Sequence, residues 1–442
     1  MNIPLDNLYH WIQGLAQHPV ILYVFHPHGS KDIFDLDIFD NRFPTFSRSF
    51  IPSIICHDQE PLTFSNFNIA YDPNKLIPLF EHWNWTKDDI DETLFLHSDV
   101  LQYPDPKINY FKLLPGYCDW RIVLHSELNS QDVKKCSQDG FQMVYYWSHA
   151  IISRDWYRFA QQDTRLLRRN KEKTFLVYCR DWTPNREYRL KFLDLLVQQD
   201  LLDDCVISTQ HINNHGVHLS DYQVQDPRFS VDLNRLLVIP NNNTPSGSSA
   251  DYDVKDITST AISVILETVV DSIKIHLTEK ILRPIACGHP FLLAAGPGAL
   301  AYLRRYGFQT FDSVFDESYD QEVDTIKRLE SIVKTMQQIQ NLNDEDWKEI
   351  QKIVDHNKQH FFSEPFMKQV SEELTHNLNQ AIKFCLDNRG ELFWKHRKSV
   401  RRAGLANQWV GFKDDAAKRS IQQFRKIRLD RFNNSAVPIV GQ

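Results

Sequence analysis

Two adjoining stretches decide the reading of this chain: SVILET at Ser263–Thr268 and TEKILRPIACGHPFLLAAGPGALAYLRRYGFQTF at Thr278–Phe311. The apolar run Ile262–Leu266 predicts a buried strand that ends in Glu267 and Thr268. Thr278, Glu279 and Lys280 then open a helix carrying Ile281, Leu282, Ile285 and Ala286 on one face, broken by Gly288 and Pro290. Phe291–Ala295 starts the next apolar strand, and Gly296, Pro297 and Gly298 turn the chain into another helix. A strand ending in a carboxylate, beside a helix opening with hydroxyl, carboxylate and ammonium, is chemically suited to a nucleotide. The Glu267 carboxylate can accept both ribose hydroxyls, while Lys280 and the helix N-terminus can hold a diphosphate. The plainer alternative is that Glu267 and Glu279 cap helices and Lys280 is a solvated first-turn lysine.

The pattern ET, a gap, TEK, then P284xxxG288xP290F291 and G298xLxxLxxxG307FxTF resembles the donor-binding half of GT-B glycosyltransferases. It is most similar to fucosyltransferase-like enzymes and to phage-encoded glycosyltransferase-like proteins, which also carry a segment like WSHAIISRDWYR at Trp147–Arg158. The resemblance implies an α/β fold of two Rossmann-like, doubly wound domains with a cleft between them and C-terminal helices crossing back. It also implies a nucleoside-diphosphate sugar as co-substrate and no required metal or other cofactor.

Outward from the motif, the length suggests two or three domains. In residues 1–169, short apolar runs at Val20–Phe25, Ser53–Cys56, Leu94–Leu96 and Ile122–His125 each end in polar residues, as expected of a parallel sheet. A helix is expected over Ser153–Gln162. Residues 170–343 repeat the alternation, with strands at Thr174–Cys179, Val206–Ser208, Leu236–Pro240, 262–266, 290–294 and 309–312, and a helix over Glu187–Gln199. Residues 344–388 hold two long amphipathic helices, Asp344–Phe361 and Glu364–Asp387, and the second suits the crossing-back role. Residues 389–442 form a basic aromatic tail. No apolar run reaches the ~18 residues of a membrane span. The opening MNIPLDNLYHWIQGL lacks the basic and apolar regions of a signal peptide. Seven scattered cysteines without a CxxC pair fit reduced core thiols, so a cytoplasmic protein without membrane insertion is expected.

Glycosyl transfer needs a stabilised leaving diphosphate and an acceptor hydroxyl that loses its proton. Lys280 is the first candidate for the diphosphate; Arg180 and Arg186, which follow the strand at Thr174–Cys179, come next, since guanidinium matches phosphate geometry. Glu267, Thr278 and Glu279 complete the donor set. The base is expected at a strand end of the first half, in His57, Asp58 and Glu60, with Asp58 preferred; Asp99 and Glu127 are rivals, and HDQEPL as a simple turn is the alternative. His149 is a further candidate for touching sugar or acceptor. Asp35-Leu36-Asp37 is a DxD of the kind that holds a divalent metal in GT-A enzymes, but the alternation of IFDLDIFD explains it as well. The sequence has no GxGxxG, P-loop, HExxH or GxSxG, so nicotinamide, ATPase, zincin and hydrolase readings have no support.

Charge suggests the acceptor. Arg389–Arg431 holds 13 Lys and Arg against 4 Asp and Glu, a surplus of nine, so the rest of a chain of net charge −7 carries −16. Lys395, Arg397, Lys398, Arg401 and Arg402, interleaved with Phe393, Trp394, Trp409 and Phe412, suit a polyanion. With the phage resemblance this favours DNA, with the sugar placed on a hydroxymethylated base; an amphipathic tail packed on an acidic face of the same chain is the alternative. A glycan or lipid-linked acceptor is the second reading, and a non-catalytic DNA-binding protein on a degenerate glycosyltransferase scaffold is the third.

Overall fold

Every described strand of this fold runs parallel to its sheet neighbours. The computed structural model describes residues 3, 8–18, 20–24, 53–56, 58–59, 61, 121–138, 141–182, 186–213, 216–242 and 249–388. His57 and Glu60, the expected strand Leu94–Leu96, Asp99, the DxD and the whole basic tail lie outside these residues.

The first sheet consists of β1 (Ile21–Val24), β2 (Ser53–Cys56), β3 (Arg121–His125) and β4 (Gln142–Tyr145), in the order β1-β2-β3-β4. Its described strands follow chain order, so the reversal expected of a doubly wound sheet is not found among them. Helix α1 (Leu8–Leu15) buries Leu8, Tyr9 and Ile12; α2 (Gln131–Gln138) joins β3 to β4, and α3 (Ser148–Trp156) follows β4.

The second sheet has the order β6-β5-β7-β8, from β5 (Lys173–Cys179), β6 (Cys205–Thr209), β7 (Thr260–Leu266) and β8 (Phe291–Ala294). The chain steps from β5 to β6 on one side, then crosses back to β7 on the other. All seven residues of β7 are buried, as a central parallel strand covered on both faces requires. Helix α4 (Tyr188–Gln198) follows β5; α5 (Leu233–Leu236) and α6 (Val254–Ser259) precede β7; α7 (Glu279–Cys287) joins β7 to β8; α8 (Ala299–Arg305) follows β8. Helix α9 (Thr325–Ile339) packs on α4 and β8, and α10 (Asp344–Phe361) packs on α7. The backbone at Gly296 passes so close to its neighbours that a Cβ would sit 2.7 Å from the Lys274 carbonyl oxygen and 2.9 Å from that of Ser272.

Two expected strands are absent, for identifiable reasons. Within Leu236–Pro240 the chain leaves a short helical turn instead, because Asp232 caps α5 by accepting from the Asn234 amide at 3.2 Å. At 309–312 the backbone is claimed by side chains: Asn357 bonds both the amide and the carbonyl of Gln309 at 2.8 Å, and Glu317 accepts from the Phe311 amide at 2.7 Å. The helix expected over Ser153–Gln162 starts earlier, at Ser148, and ends at Trp156 before a 3-10 turn.

A strip of contacts joins the sheets. Leu128 and Ile275 exchange two backbone hydrogen bonds of 3.0 Å, Trp147 donates its indole N–H to the Leu277 carbonyl at 2.9 Å, and Lys274 pairs with Glu127 at 3.3 Å. Helix α11 (Glu364–Asp387) returns to the first sheet. Asn377 donates to the Tyr145 carbonyl and Asn379 to the Leu15 carbonyl, each at 3.0 Å. Arg154 fastens the corner before α11, donating to the carbonyls of Phe361, Phe362 and Ser363 at 2.7–2.8 Å. One continuous apolar core runs through both halves by way of Trp147, Tyr302, Tyr306 and Phe366.

Candidate functional site

The reversal of strand order opens a crevice beyond the carboxyl ends of β5 and β7, where parallel sheets bind ligands. A cavity of about 550 Å³ lies there, within the range of small-molecule sites. Arg180, Asp181 and Arg186 border it after β5, Thr268 after β7, and Thr278, Glu279, Lys280 and Arg283 along α7. From the first half, Gln59, Pro61, His149 and Trp156 reach it.

The local chemistry of α7 sets the geometry. Thr278 caps the helix, accepting from the Lys280 amide at 3.3 Å. The same hydroxyl donates to Glu267 Oε2 at 2.7 Å, and the Thr278 amide donates to Oε1 at 3.1 Å. The Thr268 amide adds a third bond to Glu267, at 3.2 Å. Glu267 is fully buried and does not line the cavity. In this structure, where it was expected as a ribose acceptor, it braces the end of β7 against the start of α7. Burial raises its carboxyl above the ordinary value, opposed by the Lys280 charge and the Thr278 hydrogen bonds.

Glu279 is the carboxylate that does line the cavity. Its Oε1 holds Lys280 Nζ at 3.0 Å, and its Oε2 lies 3.7 Å from His149 Nδ1. Burial pushes this carboxyl up, but Lys280, His149 and Arg283 outweigh it and hold it well below the usual carboxylate range. Lys280 Nζ also lies 3.2 Å from the Thr268 hydroxyl and 3.1 Å from that of Thr278, so three side-chain oxygens fix the ammonium where it lines the cavity.

On the β5 side the cations crowd. Arg186 is ion-paired to Asp181, and Arg189 ties the two strand ends together through the carbonyls of Asp181 at 2.6 Å and Leu266 at 2.8 Å. Arg180 is partly buried, and burial lowers its pKa; Asp181 opposes this, while Arg186 and Arg189 lower it further. An anion placed among these guanidiniums relieves their mutual repulsion.

The preferred base, Asp58, does not line the cavity either. It is fully buried, outside the cavity lining, and accepts from the hydroxyls of Tyr9, at 3.2 Å, and Tyr146. Burial pushes its carboxyl up to about 6, with the Tyr146 and Tyr9 hydrogen bonds pulling it back. Ser126 donates to its backbone carbonyl at 2.9 Å. Glu127 is likewise away from the cavity, paired with Lys274. The sequence reading overlooked Arg283, whose guanidinium lies 4.8 Å from the Tyr178 ring centroid, and His276, which bonds Ser126 at 3.1 Å. Arg283 was within reach of the sequence, because it lies one helical turn beyond Lys280; nothing local marks His276.

Comparison with protein-family models and with curated proteins returns no match. The likeness to GT-B enzymes therefore rests on the residues of the chain alone. No group of three or more His, Cys, Asp or Glu placed to hold a metal is found among the described residues. No described helix is long and apolar enough to cross a membrane.

Proposed function

We propose that this chain is a GT-B-type glycosyltransferase, built of two Rossmann-like halves, that moves a sugar from a nucleoside-diphosphate sugar to an acceptor hydroxyl. The observation that carries the reading is the cavity at the β5/β7 switch point, lined at once by Lys280, Arg180 and the first turn of α7. In this reading the diphosphate lies between Lys280 and Arg180, with the partial positive charge of the helix N-terminus behind it. As the bond from the anomeric carbon to the diphosphate breaks, charge grows on the leaving oxygen, and these cations stabilise it. The return of α11 to β3 and β4 agrees with a helix that ties two halves across a cleft.

For the acceptor we favour a hydroxymethylated base in DNA, on the basic aromatic composition of residues 389–431. A base in duplex must be flipped out before its hydroxyl reaches a buried cavity. The test is nucleoside-diphosphate release from a panel of sugar nucleotides, with hydroxymethylated duplex DNA or oligosaccharides as acceptor. Release stimulated by the modified duplex, and not by unmodified duplex, is the expected result. Stimulation by oligosaccharides alone moves the acceptor to a glycan. Salt-sensitive DNA binding with no sugar-nucleotide turnover selects the degenerate-scaffold reading.

A further inference from the structure

We infer that Asp256 selects the base of the donor: its open carboxylate oxygen takes the exocyclic amine of an adenine, guanine or cytosine nucleotide and turns uridine nucleotides away. This rests on the donor reading above and names the class of base for it. The cavity has two chemical ends. Arg180, Arg186 and Lys280 line it at one end and suit the diphosphate. Along α7 it continues past Arg283, one helical turn beyond Glu279, to Tyr178 on β5 and Asp256 on α6. The sugar has to face the acceptor, so it belongs beside Glu279, where His149 of the first half meets the cavity. The nucleoside then lies the other way, toward Tyr178 and Asp256.

Local bonds hold Asp256 in place. Asp253 caps α6 by accepting from the Asp256 amide at 3.1 Å, which sets Asp256 in the first turn. The Asp256 carbonyl accepts from the Thr260 hydroxyl at 2.6 Å, so the residue is fastened to the start of β7. Tyr178 donates its hydroxyl to Oδ2 at 2.8 Å, and the Arg283 guanidinium lies 4.8 Å from the centroid of the same ring. One carboxylate oxygen is thus committed. Among the described residues Oδ1 has no hydrogen-bond partner, and it is not one of the enclosed polar atoms; Asp256 is half-buried and lines the cavity.

An ionised carboxylate only accepts, so whatever meets Oδ1 has to donate. Adenine, guanine and cytosine each carry an exocyclic amine. Uracil has none, and its single ring N–H is flanked by two carbonyl oxygens that a carboxylate repels. Burial, with Asp253, raises the Asp256 carboxyl against the pull of Tyr178, Lys255 and Arg283, so the group is best read at pH 8, where it is charged.

The experiment is calorimetric titration of wild type and Asp256→Asn at pH 8 with adenosine, guanosine, cytidine, uridine and inosine diphosphates. Uracil is the pyrimidine without the amine and inosine carries the purine without it, so each ring supplies its own control. For whichever ring the cavity admits, the amine-bearing nucleotide is expected to bind wild type at least about tenfold more tightly than its amine-free counterpart, and Asp256→Asn to bring the two within about threefold. Equal affinity for the two in wild type overturns the inference and leaves the donor reading standing. So does a loss in Asp256→Asn that is the same for amine-bearing and amine-free nucleotides, which would place the carboxylate on the ribose. Wild type that binds none of the five overturns the donor reading and takes the inference with it. The wild-type comparison needs no variant, so it decides even where Asp256→Asn folds poorly.

Discussion

Replacing Thr278 by valine keeps the shape of the side chain and removes its hydroxyl. That hydroxyl caps α7 through the Lys280 amide at 3.3 Å and donates to the buried Glu267 carboxylate at 2.7 Å. Loss of an N-cap costs about 0.5–2 kcal/mol. Loss of a hydrogen bond to a buried charged group costs about 1.5–3 kcal/mol. The two bonds share one hydroxyl and so do not simply add, which puts the expected loss at about 2–4 kcal/mol. Urea unfolding at pH 7 reads it as a lower midpoint at unchanged slope, and Thr278→Ser stays close to wild type. The loss also depends on pH. The Glu267 carboxyl is raised in the folded state, so the folded form takes up a proton before the unfolded form as pH falls, and gains relative stability through that window. Valine raises this carboxyl further, because it withdraws a donor from the charged form only. The deficit should therefore be greatest at neutral pH and shrink as Glu267 is protonated. A deficit below about 0.5 kcal/mol, the level of an ordinary surface change, would refute the brace, as would a deficit that ignores pH.

Three further outcomes are expected. His289 is buried neutral between Ser263 and the Thr260 carbonyl, with its pKa lowered to about 3, chiefly by burial, from the ordinary 6.5. Below the ordinary value the unfolded chain binds a proton that the folded chain refuses, so this site removes about 1.4 kcal/mol of stability per pH unit as pH falls from about 6.5 towards 3. Asp58, raised to about 6, works in the opposite sense over its own window, so the decisive quantity is the difference between wild type and His289→Gln; equal acid slopes would contradict the assignment. In Gly296→Ala the new methyl meets two backbone oxygens that cannot step aside, with an expected loss of about 1–3 kcal/mol in chemical unfolding; an unchanged midpoint would contradict the close approach. Arg154→Met leaves three carbonyls at the α10–α11 corner without their donor, an expected loss of about 2–4 kcal/mol; hydrogen exchange should quicken along α11, and unchanged protection there would refute the role given to Arg154.

The elements that the sequence displays most clearly are those with local stop and start chemistry. Helix α10 begins where Asn343 and Asp346 form a capping box, and α11 begins after Ser363 with a proline in its first turn, so both spans can be read to the residue. The central strands β5 and β7 announce themselves as apolar runs because both of their faces are covered. What is not local is not legible. The stretch around Gln309 reads as a strand until Asn357, on α10, takes its amide and carbonyl. Helix α9 was passed over although its signals are present: Asp324 caps it, accepting from the amides of Ile326 and Lys327. At the site, Thr278, Glu279 and Lys280 are visible as a helix start, but the direction in which each carboxylate points is decided by packing. Glu267 turns inward to Thr278, while Glu279, expected only as part of the donor set, also faces His149 from the other half of the molecule. Asp58 sits at a strand end, where the sequence predicts a base, and two tyrosines from separate elements enclose it.

The central claim is that the cavity at the β5/β7 switch point holds a nucleoside diphosphate on Lys280. Calorimetric titration of wild type and Lys280→Ala with uridine, guanosine, adenosine and cytidine diphosphates tests it most directly. The account predicts that at least one of these binds wild type, and that Lys280→Ala weakens it by at least about tenfold, the equivalent of ~1.4 kcal/mol. Binding to wild type that Lys280→Ala leaves unchanged, or no binding by any of the four, would contradict it.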